Sequence, residues 1–139
     1  MRGRAFIDLA ADILKGNTEA HRRGAAGRAY YGLMLKCRDA LFRWGFTLPP
    51  RDNVHSFVRL RFVCAVDADL RDIGRALDWM VQTRARADYN LSLHMDFVSN
   101  RRAQQAIDEA RDALALLDAI EADPARQAAA IAAIRAAFP

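Results

Sequence analysis

Cysteine, histidine, lysine and proline are all scarce in this chain, and it has no long apolar run. No stretch approaches the ~20 apolar residues that a membrane-spanning helix needs, and the N-terminus lacks the apolar core of a signal peptide. The cysteines, Cys37 and Cys64, lack CxxC spacing, and three scattered histidines do not complete a zinc site. Both cysteines lie in apolar stretches, which predicts buried thiols in a reducing compartment. Since phosphate-loop and dinucleotide motifs are also absent, we expect a cytoplasmic protein without membrane contact, metal or other cofactor.

The composition indicates one globular domain with a mildly basic surface. An apolar fraction of 53% and a charged fraction of 27% over 139 residues exclude a disordered chain. Residues 1–102 carry 18 basic and 11 acidic side chains, whereas residues 103–139 carry 3 and 6. The positive potential therefore belongs to the first three quarters, where it could meet phosphates or could simply be a solvated, arginine-rich surface.

Helical spacing of apolar residues runs through the whole chain, and no segment shows convincing strand alternation. We predict an all-α, up-and-down bundle of five to six helices. Its helices cover about residues 3–15, 18–44, 53–65, 67–89, 101–122 and 125–137. The second helix begins near its N-cap Thr18, or alternatively after Gly24, and it ends at Gly45. Asp67 or Asp69 is the N-cap of the fourth helix. Residues 1–122 form the bundle, and residues 123–139 form an alanine-rich helix that docks on it; binding of a partner is the alternative.

The second predicted helix is apolar over most of its circumference. Tyr31, Leu35 and Phe42 form a second apolar stripe beside a longer one, and only a wedge containing Gly32 is polar. The longer stripe holds Tyr30, Leu33, Met34, Cys37, Leu41 and Trp44. Such a helix is either central in the bundle or covered by a partner subunit.

The fourth predicted helix carries two charged residues in line with its apolar stripe. Arg84 and Asp88 continue the stripe of Leu70, Ile73, Leu77, Met80 and Val81, so they prolong the core face. They could be a buried ion pair that ties the helix to a neighbour, or an arginine oriented by an acid and aimed at a phosphate. On the opposite side, Trp79 is flanked by arginines, which indicates an interface, a base-stacking platform or a second packed helix.

Two strings and one histidine carry a resemblance to a known family. They are AAGRAYY at residues 25–31, His55 at the start of the third helix, and TRARADY at residues 83–89. Their order and spacing, over about residues 5–120, resemble the HEPN family. The resemblance implies a small helical bundle that dimerises, with arginines from both subunits lining one cleft. Many HEPN proteins are metal-independent ribonucleases, often toxins or defence effectors, and others accompany a nucleotidyltransferase-like partner.

The ribonuclease members carry an arginine, four to six residues, and then a histidine, and this chain departs from that pattern. Arg84 matches the arginine, but Tyr89 and Asn90 stand where the histidine is expected, and His94 lies farther on. Attack by an RNA 2′-hydroxyl needs a base with a pKa near neutral, which histidine supplies. Nuclease activity therefore requires that His94 or His55 reaches the cleft; alternatively, His94 is an ordinary surface residue and His55 caps the third helix.

These observations give three functional hypotheses. The first is a homodimeric HEPN-like protein that acts on or binds RNA as a toxin or defence component. We assign its catalytic site to Arg84, Asp88, Tyr89, Asn90 and His94, its RNA or nucleotide contacts to Arg86, Arg28 and His55, and its interface to Trp79 and Tyr31. The second is a non-catalytic module that pairs with a nucleotidyltransferase-like antitoxin or other defence protein. The third is a plain nucleic-acid-binding bundle that uses Arg51, Arg59 and Arg61.

Overall fold

The chain is an all-α helical bundle, as its apolar spacing predicts. A computed structural model describes residues 2–89 and 97–139, and of Asp88 and Tyr89 it describes the backbone alone. Within these ranges there are six α-helices, one short 3-10 helix and no strand. They are α1 (Gly3–Leu14), α2 (Glu19–Arg43), the 3-10 helix (Arg51–Asn53), α3 (Val54–Cys64), α4 (Ala68–Tyr89), α5 (Arg101–Ala122) and α6 (Pro124–Ala137).

The helix ends lie where the local capping signals place them. The Thr18 hydroxyl accepts a hydrogen bond from the His21 backbone N–H, which confirms Thr18 rather than Gly24 as the start of α2. Asp67 accepts one from the backbone N–H of Leu70 at the start of α4. Gly45 adopts φ +91°, the left-handed conformation that ends α2 with little steric cost. Pro124 occupies the first turn of α6, where a missing N–H costs nothing.

Helix α2 is the centre of the bundle and packs against α1, α3, α4 and α5. Its longer apolar stripe is buried throughout, so of the two alternatives given by the sequence, a central helix or one covered by a partner, the first holds for this stripe. The second stripe is different, because Tyr31 and Leu35 are half-buried and Phe42 is 70% exposed. Gly32, placed in the polar wedge by sequence, is buried. A Cβ at Gly32 would lie 2.6 Å from the Gly3 carbonyl oxygen, so α1 crosses α2 there in close backbone contact.

The prediction of two buried thiols is right for Cys37 and wrong for Cys64. Cys37 lies in the α2 stripe and is fully buried, whereas Cys64 is exposed. The reason is helical geometry: α3 turns Val58 and Phe62 into the core, and Cys64 lies two positions after Phe62, on the far side of the helix. Local apolar neighbours in sequence therefore do not bury this side chain.

Charged side chains tie the last two helices to the rest of the bundle. Helix α6 packs on α3 and α5, with Ala130 and Ile134 buried. At its first turn the Arg126 guanidinium donates to Asp67 at 2.8 Å and to Asp69 at 3.0 Å, at the start of α4. Near the end of α5, the Glu121 carboxylate accepts hydrogen bonds from two residues at the end of α2. Arg43 Nη2 donates at 2.6 Å, and Nε1 of Trp44, which directly follows α2, donates at 3.2 Å. Among the described residues, no helix has the length and apolarity to span a membrane.

Candidate functional site

Arg84 lies where the α4 stripe meets the aromatic side chains of α2. The guanidinium carbon is 4.9 Å from the centre of the Tyr31 ring and 5.6 Å from that of Tyr30. The side chain is half-buried, so the sequence placed it correctly on the inward face of α4. The side chain of Asp88, its proposed orienting acid, lies outside the described residues. Packing against tyrosine rings limits the rotamers of Arg84.

His55 reaches the same place from the first turn of α3. Its Nδ1 is 2.6 Å from the Tyr30 hydroxyl oxygen, a hydrogen-bond distance between side chains of α2 and α3. The imidazole also stacks on the Tyr30 ring and meets the Tyr31 ring edge-on, with centroid distances of 5.7 and 5.9 Å. Tyr30, Tyr31, His55 and Arg84, supplied by three helices, therefore form one group, the Arg84 cluster.

The surroundings set the protonation states of this cluster. Burial, and secondarily the positive charge of Arg84, lowers the pKa of His55 below its ordinary value of 6.5. Burial raises the pKa of Tyr30 to about 12, against the opposing effect of Arg84 and Arg59. At neutral pH the cluster thus contains a neutral imidazole, a protonated phenol and a guanidinium. It can accept a proton, donate hydrogen bonds and stabilise an anion.

A small cavity, the His55 cavity, opens beside the imidazole between α2, α3 and α4. Its volume is about 90 Å³. Arg59 lies one helical turn after His55 on α3 and lines the cavity, and its Nη1 is 3.5 Å from a carboxylate oxygen of Asp78 on α4. The complete lining is Tyr30, Met34, His55, Ser56, Val58, Arg59, Leu77 and Val81. The cavity therefore adds a mainly apolar recess to the polar Arg84 cluster.

The other residues assigned from sequence are distributed more widely. Arg28 and Arg86 are both exposed, Arg28 one turn before Tyr31 on α2, and the Arg86 backbone carbonyl accepts a hydrogen bond from Arg23. Trp79 packs within the chain, where the guanidinium of Arg102 at the start of α5 lies 5.6 Å from its ring centre. A residue of α5 therefore contacts Trp79, while Arg75 and Arg86 on the same face of α4 are exposed. The side chain of Tyr89 and the residues Asn90 and His94 lie outside the described residues.

The three arginines of the nucleic-acid-binding hypothesis have different surroundings. The guanidinium carbon of Arg61 is 3.7 Å from the centre of the Phe57 ring and 3.9 Å from that of the Phe138 ring. Arg61 therefore connects Phe138, which follows α6, to α3. Arg59 faces the His55 cavity, and Arg51 is exposed in the 3-10 helix.

Sequence reasoning missed the polar role of Tyr30, and it named Arg59 as a nucleic-acid contact without placing it beside His55. Tyr30 belongs to the buried α2 stripe, and its spacing alone indicates a core residue. A signal was nevertheless present, because a buried tyrosine hydroxyl needs a hydrogen-bond partner and Tyr30 lies in the AAGRAYY string. For Arg59, the signal was its position four residues after His55, on the same face of α3.

This chain matches no known family model, no curated protein and no solved structure. The HEPN resemblance therefore rests on the residue strings given above, and the function it implies is a proposal. In the described part of the chain, no group of three or more His, Cys, Asp or Glu side chains is arranged to hold a metal ion.

Proposed function

We propose that this chain is a HEPN-like, metal-independent endoribonuclease whose reacting phosphate lies at Arg84 and His55. The observation that carries the proposal is the contact of His55 with the Tyr30 hydroxyl, beside the arginine that matches the family pattern. In this proposal, His55 on α3 takes the role of the histidine that is missing from the expected spacing after Arg84. Its position beside Arg84 supports the proposal, because a base and a cation then act on one phosphate.

The chemistry of the cluster suits cleavage by the neighbouring 2′-hydroxyl. The proposed reaction requires the tautomer of the neutral imidazole in which Nδ1–H donates to the Tyr30 oxygen, because Nε2 is then the proton acceptor. His55 takes the 2′-hydroxyl proton, the 2′-oxygen bonds to phosphorus, and the bond from phosphorus to the 5′-oxygen breaks. The 5′-oxygen leaves with a proton from water, giving a 2′,3′-cyclic phosphate and a 5′-hydroxyl. Arg84 stabilises the charge that develops on the phosphoryl oxygens.

The test compares site variants with matched surface variants. Purified protein is incubated with total RNA in EDTA, and the fragments are examined for cyclic phosphate ends. Arg84→Ala and His55→Asn are expected to lower cleavage by at least about a hundredfold, the usual scale for a general base or an electrostatic contact. The controls Arg111→Ala and His21→Asn, at exposed positions on α5 and α2, keep wild-type activity. Absence of cleavage, or equal cleavage by all variants, contradicts the proposal.

A second candidate function is a non-catalytic module that pairs with a nucleotidyltransferase-like protein. It is favoured by the 70% exposure of Phe42 on the second apolar stripe of α2, because a large exposed apolar side chain on a central helix suits a partner surface. Co-purification from the native host distinguishes the two. A stable complex with a different protein, together with no RNA cleavage, supports the module.

We further propose that the protein works as a homodimer in a toxin–antitoxin or defence setting. This rests on the HEPN resemblance and on the half-buried side chains of Tyr31 and Leu35, which share the second apolar stripe of α2 with the exposed Phe42. Induced expression is expected to arrest growth with the wild-type chain and not with Arg84→Ala. Sedimentation of a monomer at all concentrations contradicts the dimer.

A further inference from the structure

The His55 cavity has apolar walls and a polar rim. The walls are formed by side chains of three helices, namely Met34, Val58, Leu77 and Val81. The polar lining residues are Tyr30, which is buried, and His55, Ser56 and Arg59, which are half-buried or exposed and so lie at the rim. Two of these, Tyr30 and His55, also belong to the Arg84 cluster. A group that enters the cavity is therefore held directly beside the proposed position of the phosphate.

The size of the cavity restricts what can enter. Its volume is about 90 Å³. An engineered protein cavity of about 150 Å³ accepts one benzene molecule, so the His55 cavity can take a single six-membered ring inserted part of the way. A bicyclic purine exceeds this volume by more than a pyrimidine does, so a pyrimidine fits better. Apolar walls also disfavour a phosphate or a carboxylate, because charged groups lose hydration there.

The rim has the hydrogen-bonding groups that would recognise the edge of a pyrimidine. The Arg59 guanidinium only donates, and the Ser56 hydroxyl both donates and accepts. Uracil and cytosine both present a carbonyl oxygen and a ring nitrogen on the edge of a flat apolar ring. We propose that the His55 cavity binds one unpaired pyrimidine base of the RNA, adjacent to the bond that is cleaved. This inference rests on the proposed function, and it adds that the substrate is single-stranded RNA containing pyrimidines.

The test measures binding of oligonucleotides that cannot be cleaved. Short fluorescein-labelled 2′-O-methyl oligouridylate, oligocytidylate and oligoadenylate are titrated with the full-length protein, and fluorescence anisotropy gives each Kd. Both pyrimidine oligonucleotides are expected to bind at least about tenfold more tightly than oligoadenylate, the lower range for discrimination by pocket size. Raising the salt concentration weakens the binding of all three oligonucleotides, because each of them makes phosphate contacts.

Two variants connect this preference to the cavity. Ser56 is exposed at the rim, so Ser56→Trp closes the opening without disturbing the core, and the pyrimidine preference is expected to fall to within about twofold. Ser99→Trp, at an exposed serine before α5, is the matched control and keeps the preference. Arg59→Gln is expected to lower the preference at least about threefold without filling the cavity. Circular dichroism checks that each variant is folded.

The outcomes separate this inference from the proposed function. Equal affinity for adenine and pyrimidine oligonucleotides, or a preference that Ser56→Trp leaves unchanged, overturns the base cavity. If RNA is still cleaved in either case, the endoribonuclease proposal stands and only the base preference is lost. If the protein neither binds these oligonucleotides nor cleaves RNA, both proposals fail.

Discussion

The hydroxyl oxygen of Tyr30 lies 2.6 Å from Nδ1 of His55, and this contact joins the central helix α2 to the start of α3. It also fixes the orientation of the imidazole beside Arg84, whose guanidinium carbon is 5.6 Å from the centre of the same tyrosine ring. The buried Tyr30 side chain therefore contacts both residues of the proposed catalytic site.

Replacing Tyr30 by phenylalanine removes this hydrogen bond and keeps the ring. The free energy of unfolding is expected to fall by about 1 kcal/mol, the usual net value of such a bond. Urea denaturation followed by circular dichroism measures it. Tyr31→Phe is the control, because the Tyr31 hydroxyl has no hydrogen bond within the described part of the chain. Equal loss in the two variants contradicts a specific role for the Tyr30 contact.

The lowered pKa of His55 predicts how stability and activity depend on pH. The folded protein binds fewer protons at His55 than the unfolded chain, whose pKa is 6.5, so this contribution is complete above about pH 6.5. It is lost as the pH falls from there through the folded pKa. Cleavage by a neutral His55 base likewise rises with pH, with a midpoint below 6.5.

Urea midpoints at about pH 7.5 and about pH 5.5 test the stability part. His55→Gln is expected to reduce the decrease in midpoint between these values. A histidine titration in the NMR spectrum gives the pKa directly. A value for His55 above 6.5 would refute the prediction.

Two glycines of α2 should respond in opposite directions to alanine. A Cβ at Gly32 would lie 2.6 Å from both the Gly3 carbonyl oxygen and Ile7 Cγ1, so Gly32→Ala forces α1 away and is expected to cost about 1–3 kcal/mol. A Cβ at Gly24 would lie 3.7 Å from Ile13 Cγ2, an ordinary contact, so Gly24→Ala is expected to stabilise by about 0.5–1 kcal/mol. Thermal unfolding of the two variants side by side measures both effects.

Arg23 should be a major contributor to stability. Only 8% of it is exposed, and its Nη1 donates to the backbone carbonyls of Arg86 and Ala87, both at 3.0 Å, near the end of α4. Arg23→Ala leaves one buried and one partly buried carbonyl without this donor and is expected to cost about 3 kcal/mol. The control Arg75→Ala removes an exposed ion pair with Asp72 and should change stability by less than about 0.5 kcal/mol. Similar effects from both would contradict the role of the buried contacts.

The two thiols should differ in reactivity. Burial raises the pKa of Cys37 far above the ordinary range, and the side chain has no access to solvent, whereas Cys64 is exposed at the end of α3. A thiol-specific disulfide reagent should therefore modify one thiol quickly in the folded protein, and the second only when the protein unfolds. Cys64→Ser should remove the fast phase. A fast phase that persists in this variant would show that Cys37 is accessible.

Much of the fold follows from local signals. The bounds of α1, α5 and α6 agree with the prediction to within one residue, and the Thr18, Gly45 and Pro124 signals lie at helix ends. These features are predictable because a cap or a stop acts on backbone groups within one turn. The inward direction of Arg84 was also predictable, since it follows from the period of the α4 stripe.

The candidate site was only partly predictable. The sequence did not decide whether His55 caps α3 or has a functional role. Tyr30 was indistinguishable by its spacing from the other core residues of the α2 stripe. Cys64 shows the same restriction, because its apolar sequence neighbours indicated burial and the direction of α3 exposed it.

By itself, the sequence determined an all-α chain, the ends of most helices and the cation on the inner face of α4, and it left α2 either central or covered by a partner. Only the tertiary structure decided that His55, Tyr30 and Arg84 meet, and that Arg59 lines a cavity next to them. The physical reason is the range of the interactions. Capping and amphipathic periodicity act within a few residues of one helix, whereas the meeting of side chains from α2, α3 and α4 depends on how three rigid helices cross, which is set by packing of the whole core.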